Sequence, residues 1–187
     1  MIKIFIDQGH NPSGPNAGAE GHGYSEQDIV YIIGVRLAEL LRNNGNFEVM
    51  LSRPTPQTQL GTSNATSLRA RVDMANNWGA DYFISLHANA SSIPTASGVE
   101  AFVYSTSSEA YPLAVEIVRG VSEATGELNR GVSARPSLYV LRRTAMPATL
   151  VELGFITNPV EAEMMATNPG LYAQGVYNGI LSFFGML

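Results

Sequence analysis

Six short runs rich in β-branched and aromatic residues punctuate the chain: Ile2 to Ile6, Phe47 to Leu51, Asp81 to Leu86, Val99 to Tyr104, Ser137 to Leu141 and Ala148 to Leu153. Each is bounded by turn residues and too short for a buried helix, the pattern of a strand. Helical spacing fills the gaps. From Ser25 the residues Ile29, Ile33, Leu37, Leu40 and Leu41 recur at helical period. Asp28 sits where a capping box would place its acid, and Gly45 marks the end. Ser67 to Gly79 repeats the pattern with Leu68, Val72 and Ala75. The stretch Ser108 to Gly126 follows, where Pro112 must sit in the first turn or bend the helix, and a last helix begins near Pro169. The order β-α-β-α-β-β-α-β-β-α-α predicts an α/β fold with a mixed, mostly parallel central sheet of about six strands flanked by helices.

A chain of 187 residues suits a single domain spanning residues 1–187. Apolar residues make up 45% and charged ones 14%, enough apolar surface to fold rather than stay disordered. The net charge of −5 and the lack of any lysine or arginine run argue against a nucleic-acid partner. No apolar run approaches the roughly 18 residues that would span a bilayer. The opening apolar run is cut short by Asp7, so the amino terminus does not read as a signal peptide. With no cysteine, any metal must be held by histidine and carboxylate.

Two of the three histidines close apolar strands: His10 follows the first and His87 the third. In open α/β sheets ligands gather at the carboxyl ends of strands. Glu26 opens the first long helix across the glycine- and proline-rich stretch Asn11 to Tyr24, and Glu152 lies inside an apolar strand between Val151 and Leu153. Taken singly, most have ordinary explanations: a strand-end histidine can simply be hydrogen-bonded, and an acid in a first helical turn meets the helix dipole. Glu152 is harder to explain, because an unpaired buried carboxylate costs free energy or shifts its pKa. His22, in the loop, is expected to be solvated or to touch a ligand. Phosphate-binding glycine motifs and a serine-hydrolase elbow are absent. The residues alone point no further than a metal-dependent amide or ester hydrolase.

The blocks IFIDQGHNP, SEQDIVYIIGVRLAELL, LRARVDMANNWGADYFISLHANA, GVEAFVYS and PATLVELGFITNP resemble, in register over essentially the whole chain, the zinc-dependent N-acetylmuramoyl-L-alanine amidases of the amidase 3 type. That resemblance implies one zinc per chain held by His10, Glu26 and His87, with Glu152 as catalytic acid/base. It also implies peptidoglycan as substrate, cleaved at the amide between the lactyl group of N-acetylmuramic acid and L-alanine, with action on the bacterial cell wall as an endolysin or autolysin that is exported by lysis, by a holin route or from a longer precursor. The first block departs from the family's D-P-G-H-G-G, carrying Gln8, Asn11 and Pro12 instead. The departure alters the loop beyond the metal rather than the ligand itself.

Three nitrogen and oxygen ligands would leave a tetrahedral zinc one open position for water. Asn89, just past His87, is a candidate substrate contact or a turn-shaping residue, and Tyr139 and Arg142 are candidates to line the groove. Two alternatives remain in view. A zinc-containing wall-binding module without catalysis would not need Glu152. A zinc carboxypeptidase acting on stem peptides typically brings ligands together as His-x-x-Glu, whereas His10 and Glu26 are far apart in sequence.

Overall fold

The computed structural model describes residues 1–187. Its strands are β1 (Ile2–Gln8), β2 (Glu20–Gly21), β3 (Tyr24–Ser25), β4 (Phe47–Leu51), β5 (Tyr82–Asn89), β6 (Val99–Val103), β7 (Asn129–Ala134) and β8 (Ala148–Phe155). The helices are α1 (Glu26–Asn44), α2 (Asn64–Trp78), α3 (Ala110–Thr125), α4 (Tyr139–Arg143), α5 (Pro159–Thr167) and α6 (Pro169–Phe183). Six strands form one sheet in the order β4-β1-β5-β8-β6-β7, while β2 and β3 make a small separate hairpin. β4, β1, β5 and β8 run parallel; β6 lies antiparallel to β8 and parallel to β7. The mixed, mostly parallel six-stranded sheet expected from the sequence is therefore present.

Five of the six anticipated strands form. Ser137 to Leu141 does not: it leads into α4, where one helical turn buries the neighbours Val140 and Leu141 together. A strand would have sent them to opposite faces. The sixth strand is β7, Asn-Arg-Gly-Val-Ser-Ala at the sheet edge, with no residue fully buried and hence no apolar alternation to reveal it. The anticipated capping box at Ser25 also does not form, because Ser25 Oγ donates to Asp28 Oδ2 at 2.5 Å rather than pairing with the helix backbone. Gly45 ends α1 in the left-handed conformation, as expected, and Pro112 falls in the first turn of α3.

Two cores flank the sheet. One, of 32 buried residues, lies under α1, α3, α5 and α6 and includes Ile33, Leu37, Ile117, Val151 and Tyr172. α3 and α6 approach until backbones touch. A methyl group on Gly179 would stand 2.5 Å from the Glu116 carbonyl oxygen and from Ile117 Cα, so only glycine fits there. The other core, of ten buried residues, holds Phe5, Phe83, Phe102 and Leu150 under α2 and α4. No helix is long and apolar enough to cross a membrane.

Candidate functional site

β1, β5 and β8 end at a common rim, and the chain delivers four groups to it. His10 follows β1 in a left-handed backbone conformation, φ 68°. His87 lies near the end of β5, directly in register with Glu152 on β8, so both side chains emerge on the same face. Glu26, the first residue of α1, reaches over from the opposite face. His10 Nε2 and His87 Nδ1 each lie 3.0 Å from Glu26 Oε1. The two imidazoles meet edge to face with centroids 4.8 Å apart.

Each of these side chains is aimed by neighbours. His10 Nδ1 faces the Asn16 carbonyl at 3.2 Å, leaving Nε2 toward the rim. Glu26 Oε1 accepts from Ala88 N and Oε2 from Ala19 N. Gly9 lets His87 approach: a methyl group there would stand 2.5 Å from His87 Cε1. Burial alone would raise the Glu26 carboxyl, but hydrogen bonds from His10 and His87 outweigh it and hold Glu26 far below the usual carboxylate range. Burial would likewise lower His87, and Glu26 reverses that to a net rise.

The donor atoms of His10, Glu26 and His87 lie within 4.8 Å of one another. Ligand atoms held about 2.0–2.1 Å from one tetrahedral zinc stand roughly 3.3 Å apart, and both histidine nitrogens already lie 3.0 Å from Glu26 Oε1, so the chemistry and spacing of this nitrogen–nitrogen–oxygen set fit a zinc ion. Glu152 stands beside it and makes no contact of that kind. Its Oε2 is buried without a hydrogen-bond partner, and burial pushes the carboxyl up to about 7, with the His87 charge pulling the other way. All four open into one cleft of about 360 Å³ walled by Phe102, Leu138 and Leu150. A larger cavity of about 490 Å³, between Tyr24, Ile32 and Met165, contains none of the four. Chemistry, not volume, locates the site.

Other anticipated residues take different places. Asn89 lines the cleft, but its amide donates to Glu100 Oε1 at 2.7 Å and its carbonyl accepts from Ala90 N, beside a bulge that interrupts the β5–β8 register. Tyr139 borders a smaller adjoining cavity with His10 and His87, whereas Arg142 lines a separate one near Tyr104 and Ser108. His22, exposed on the β2–β3 turn, meets the Thr157 carbonyl and stays outside the cleft.

Sequence reasoning missed Arg71. It lies on the apolar side of α2, three residues after Leu68, and is fully buried. Nη1 donates to Asp7 Oδ1 and to the Gln8 carbonyl, both at 2.6 Å, and Nη2 donates to the His10 carbonyl at 2.5 Å. Burial alone would raise Asp7; the Arg71 guanidinium holds it below the usual range. A cation on an apolar helix stripe was the available signal. The departures at Gln8 and Asn11 are structural: Gln8 Oε1 accepts from Arg53 N, and Asn11 ties the Pro15 and Leu60 carbonyls together.

The family model described as N-acetylmuramoyl-L-alanine amidase, Amidase_3, matches residues 4–182. The N-acetylmuramoyl-L-alanine amidase CwlM of Bacillus licheniformis is 34% identical over 194 residues, covering 100% of this chain and 70% of that protein. The sporulation-specific N-acetylmuramoyl-L-alanine amidase of Bacillus subtilis is also 34% identical, covering 100% and 69%. Among solved structures, the catalytic domain of CwlV, an N-acetylmuramoyl-L-alanine amidase from Bacillus (Paenibacillus) polymyxa, superposes with a TM-score of 0.86 at 29% identity, covering 100% of each chain.

Proposed function

The chain belongs to the amidase 3 family of N-acetylmuramoyl-L-alanine amidases, and on that premise we propose that it is a peptidoglycan hydrolase with one zinc held by His10, Glu26 and His87. The bond cleaved is the amide joining the lactyl group of N-acetylmuramic acid to L-alanine, and the place of action is the bacterial cell wall. The observation that carries this reading is the convergence of those three donors with the unpartnered Glu152 carboxylate in one cleft.

When bound, zinc supplies a Lewis acid for the amide oxygen and lowers the pKa of a water in its open position from about 15.7 toward roughly 7. The chain's own groups do the rest. Glu152 takes the proton of the attacking water and returns it to the departing L-alanine amine, so one carboxylate serves both steps. An acid raised to about 7 by burial is poised for both directions near neutral pH. Phe102, Leu138 and Leu150 give the cleft apolar walls that limit competing water. Asn16 and Arg71 hold the His10 loop, and Ala19 and Ala88 hold Glu26. Asn89, engaged with Glu100, keeps the bulge that follows His87 and edges the substrate path.

Mass spectrometry of purified peptidoglycan digested by the zinc-loaded protein tests the reading. The expected products are stem peptides beginning with a free L-alanine amine and glycan strands freed of peptide. New reducing sugar ends, or cuts within the peptide, would overturn it.

A further inference from the structure

The cleft that holds the two histidines is also lined by a cation to which the reaction steps above assign no role. Arg135 follows β7 directly, its backbone N bonded to the Val103 carbonyl at 2.8 Å. Its guanidinium carbon lies 4.3 Å from the centre of the Phe102 ring, and both residues line the cleft with Leu138, Leu150 and Glu152. No carboxylate pairs with it, and its side chain makes no hydrogen bond. Arg130, on the same strand, contrasts with it: that guanidinium lies 3.7 Å from Glu100 and donates to the Ser97 carbonyl. Arg135 is therefore the unpaired cation of a cleft whose other charged groups are Glu26, Glu152 and the two histidines.

Stacking fixes the plane of a guanidinium while leaving its N–H edge free, which is the geometry for bidentate pairing with a carboxylate. The substrate chemistry restricts where that carboxylate lies. Once the lactyl carboxyl of N-acetylmuramic acid is consumed in the amide, the sugar carries no anion, so any negative charge sits on the peptide side of the scissile bond. The zinc that Glu26 helps to hold would offset charge at the scissile bond itself, so Arg135 is the cation the chain supplies to meet a peptide carboxylate beside Glu152. We propose that Arg135, stacked on Phe102, binds a carboxylate of the stem peptide and makes the chain select substrates that are acidic close to the leaving amine. This rests on the amidase reading above.

The test compares two N-acetylmuramoyl tripeptides that differ only in whether the acidic second residue carries a free α-carboxylate or a carboxamide. The zinc-loaded wild-type chain is expected to cleave the carboxylate form with about tenfold higher kcat/KM, the loss of one charge-assisted pair being worth roughly that factor. In Arg135→Ala that ratio collapses toward one, and Arg135→Lys restores part of it, since charge is kept but the planar fork is lost. Arg135 is exposed, so a folding defect would lower both substrates alike and leave the ratio in place. Equal cleavage of both substrates by the wild type, or an unchanged ratio in Arg135→Ala, overturns the assignment and leaves the amidase reading intact. Cleavage of neither substrate overturns both.

Discussion

On one face of the sheet α1, α3, α5 and α6 bury 32 core residues; on the other α2 and α4 cover ten and leave the strand ends of β1, β5 and β8 open. The thick face is mostly apolar and fitted at backbone distance, as at Gly179, with the Glu127, Glu161 and Tyr172 group as a polar exception. The thin face carries Asp7, Arg71, His87 and Glu152, groups that cost free energy to bury and are retained in a polar web or left unpartnered. Glu26 bridges the two, rooted in the first turn of α1 yet turned toward the thin face. Stability is concentrated on one side and reactivity on the other, so substitutions on the two faces should fail in different ways.

The largest separation is expected at Glu152. Glu152→Gln should lower turnover of peptidoglycan by about 10²- to 10⁴-fold, the usual worth of a positioned acid/base, while circular dichroism and zinc content stay those of the wild type. Next comes Arg71→Ala, which crosses the divide. Removing one partner of a buried ion pair costs about 3–5 kcal/mol, and the same guanidinium holds the His10 carbonyl. Chemical denaturation and zinc titration should therefore register loss of stability and of metal affinity together. Loss of stability alone would mean that the His10 loop holds its shape without Arg71.

On the thick face, Gly179→Ala should destabilise by about 1–3 kcal/mol through overpacking. At about 2–4 °C per kcal/mol for a chain of this size, that lowers the melting temperature by several degrees. Its kcat per folded molecule should match the wild type; a proportional fall in kcat would show that the two faces are coupled.

The smallest effect concerns pH. Glu127 lies behind the end of β8, hydrogen-bonded by Tyr172 and close to Glu161, and burial pushes its carboxyl from 4.5 up to about 7. Between those values the folded chain holds a proton that the unfolded chain releases. This group's contribution is thus complete below about pH 4.5 and is lost as pH rises through about 7. Melting curves should show a decline of a few degrees across that window, and Glu127→Gln should reduce it, leaving the share of Glu152, which burial also raises to about 7.

The thick face was more legible in the sequence than the thin one, and the reason is physical. Helix α1 and the strands under it announce themselves by period, because burial against a wide apolar face demands apolar residues at fixed spacing. β7 escaped because an exposed edge strand imposes no such demand, and α4 was misread because a run of apolar residues has the same composition in either conformation. At the site, His10, His87 and Glu152 were visible as polar groups where apolar strands end or continue, and Glu26 as the acid that opens the first long helix across the glycine-rich loop; the family resemblance supplied their roles. Arg71 was hidden within an otherwise regular helix stripe, since its role depends on the path of β1 and not on its neighbours in sequence. Arg135 gave no local signal at all; its significance comes from Phe102, brought beside it by the β6–β7 pairing.

Equilibrium zinc binding measured across His10→Ala, Glu26→Ala, His87→Ala and Glu152→Gln tests the division of labour at the rim most directly. The expected result is about one zinc per chain for the wild type and Glu152→Gln and strongly weakened binding for the other three. Wild-type zinc affinity in any of those three, or a comparable loss in Glu152→Gln, would contradict the assignment of three groups to the metal and the fourth to the proton.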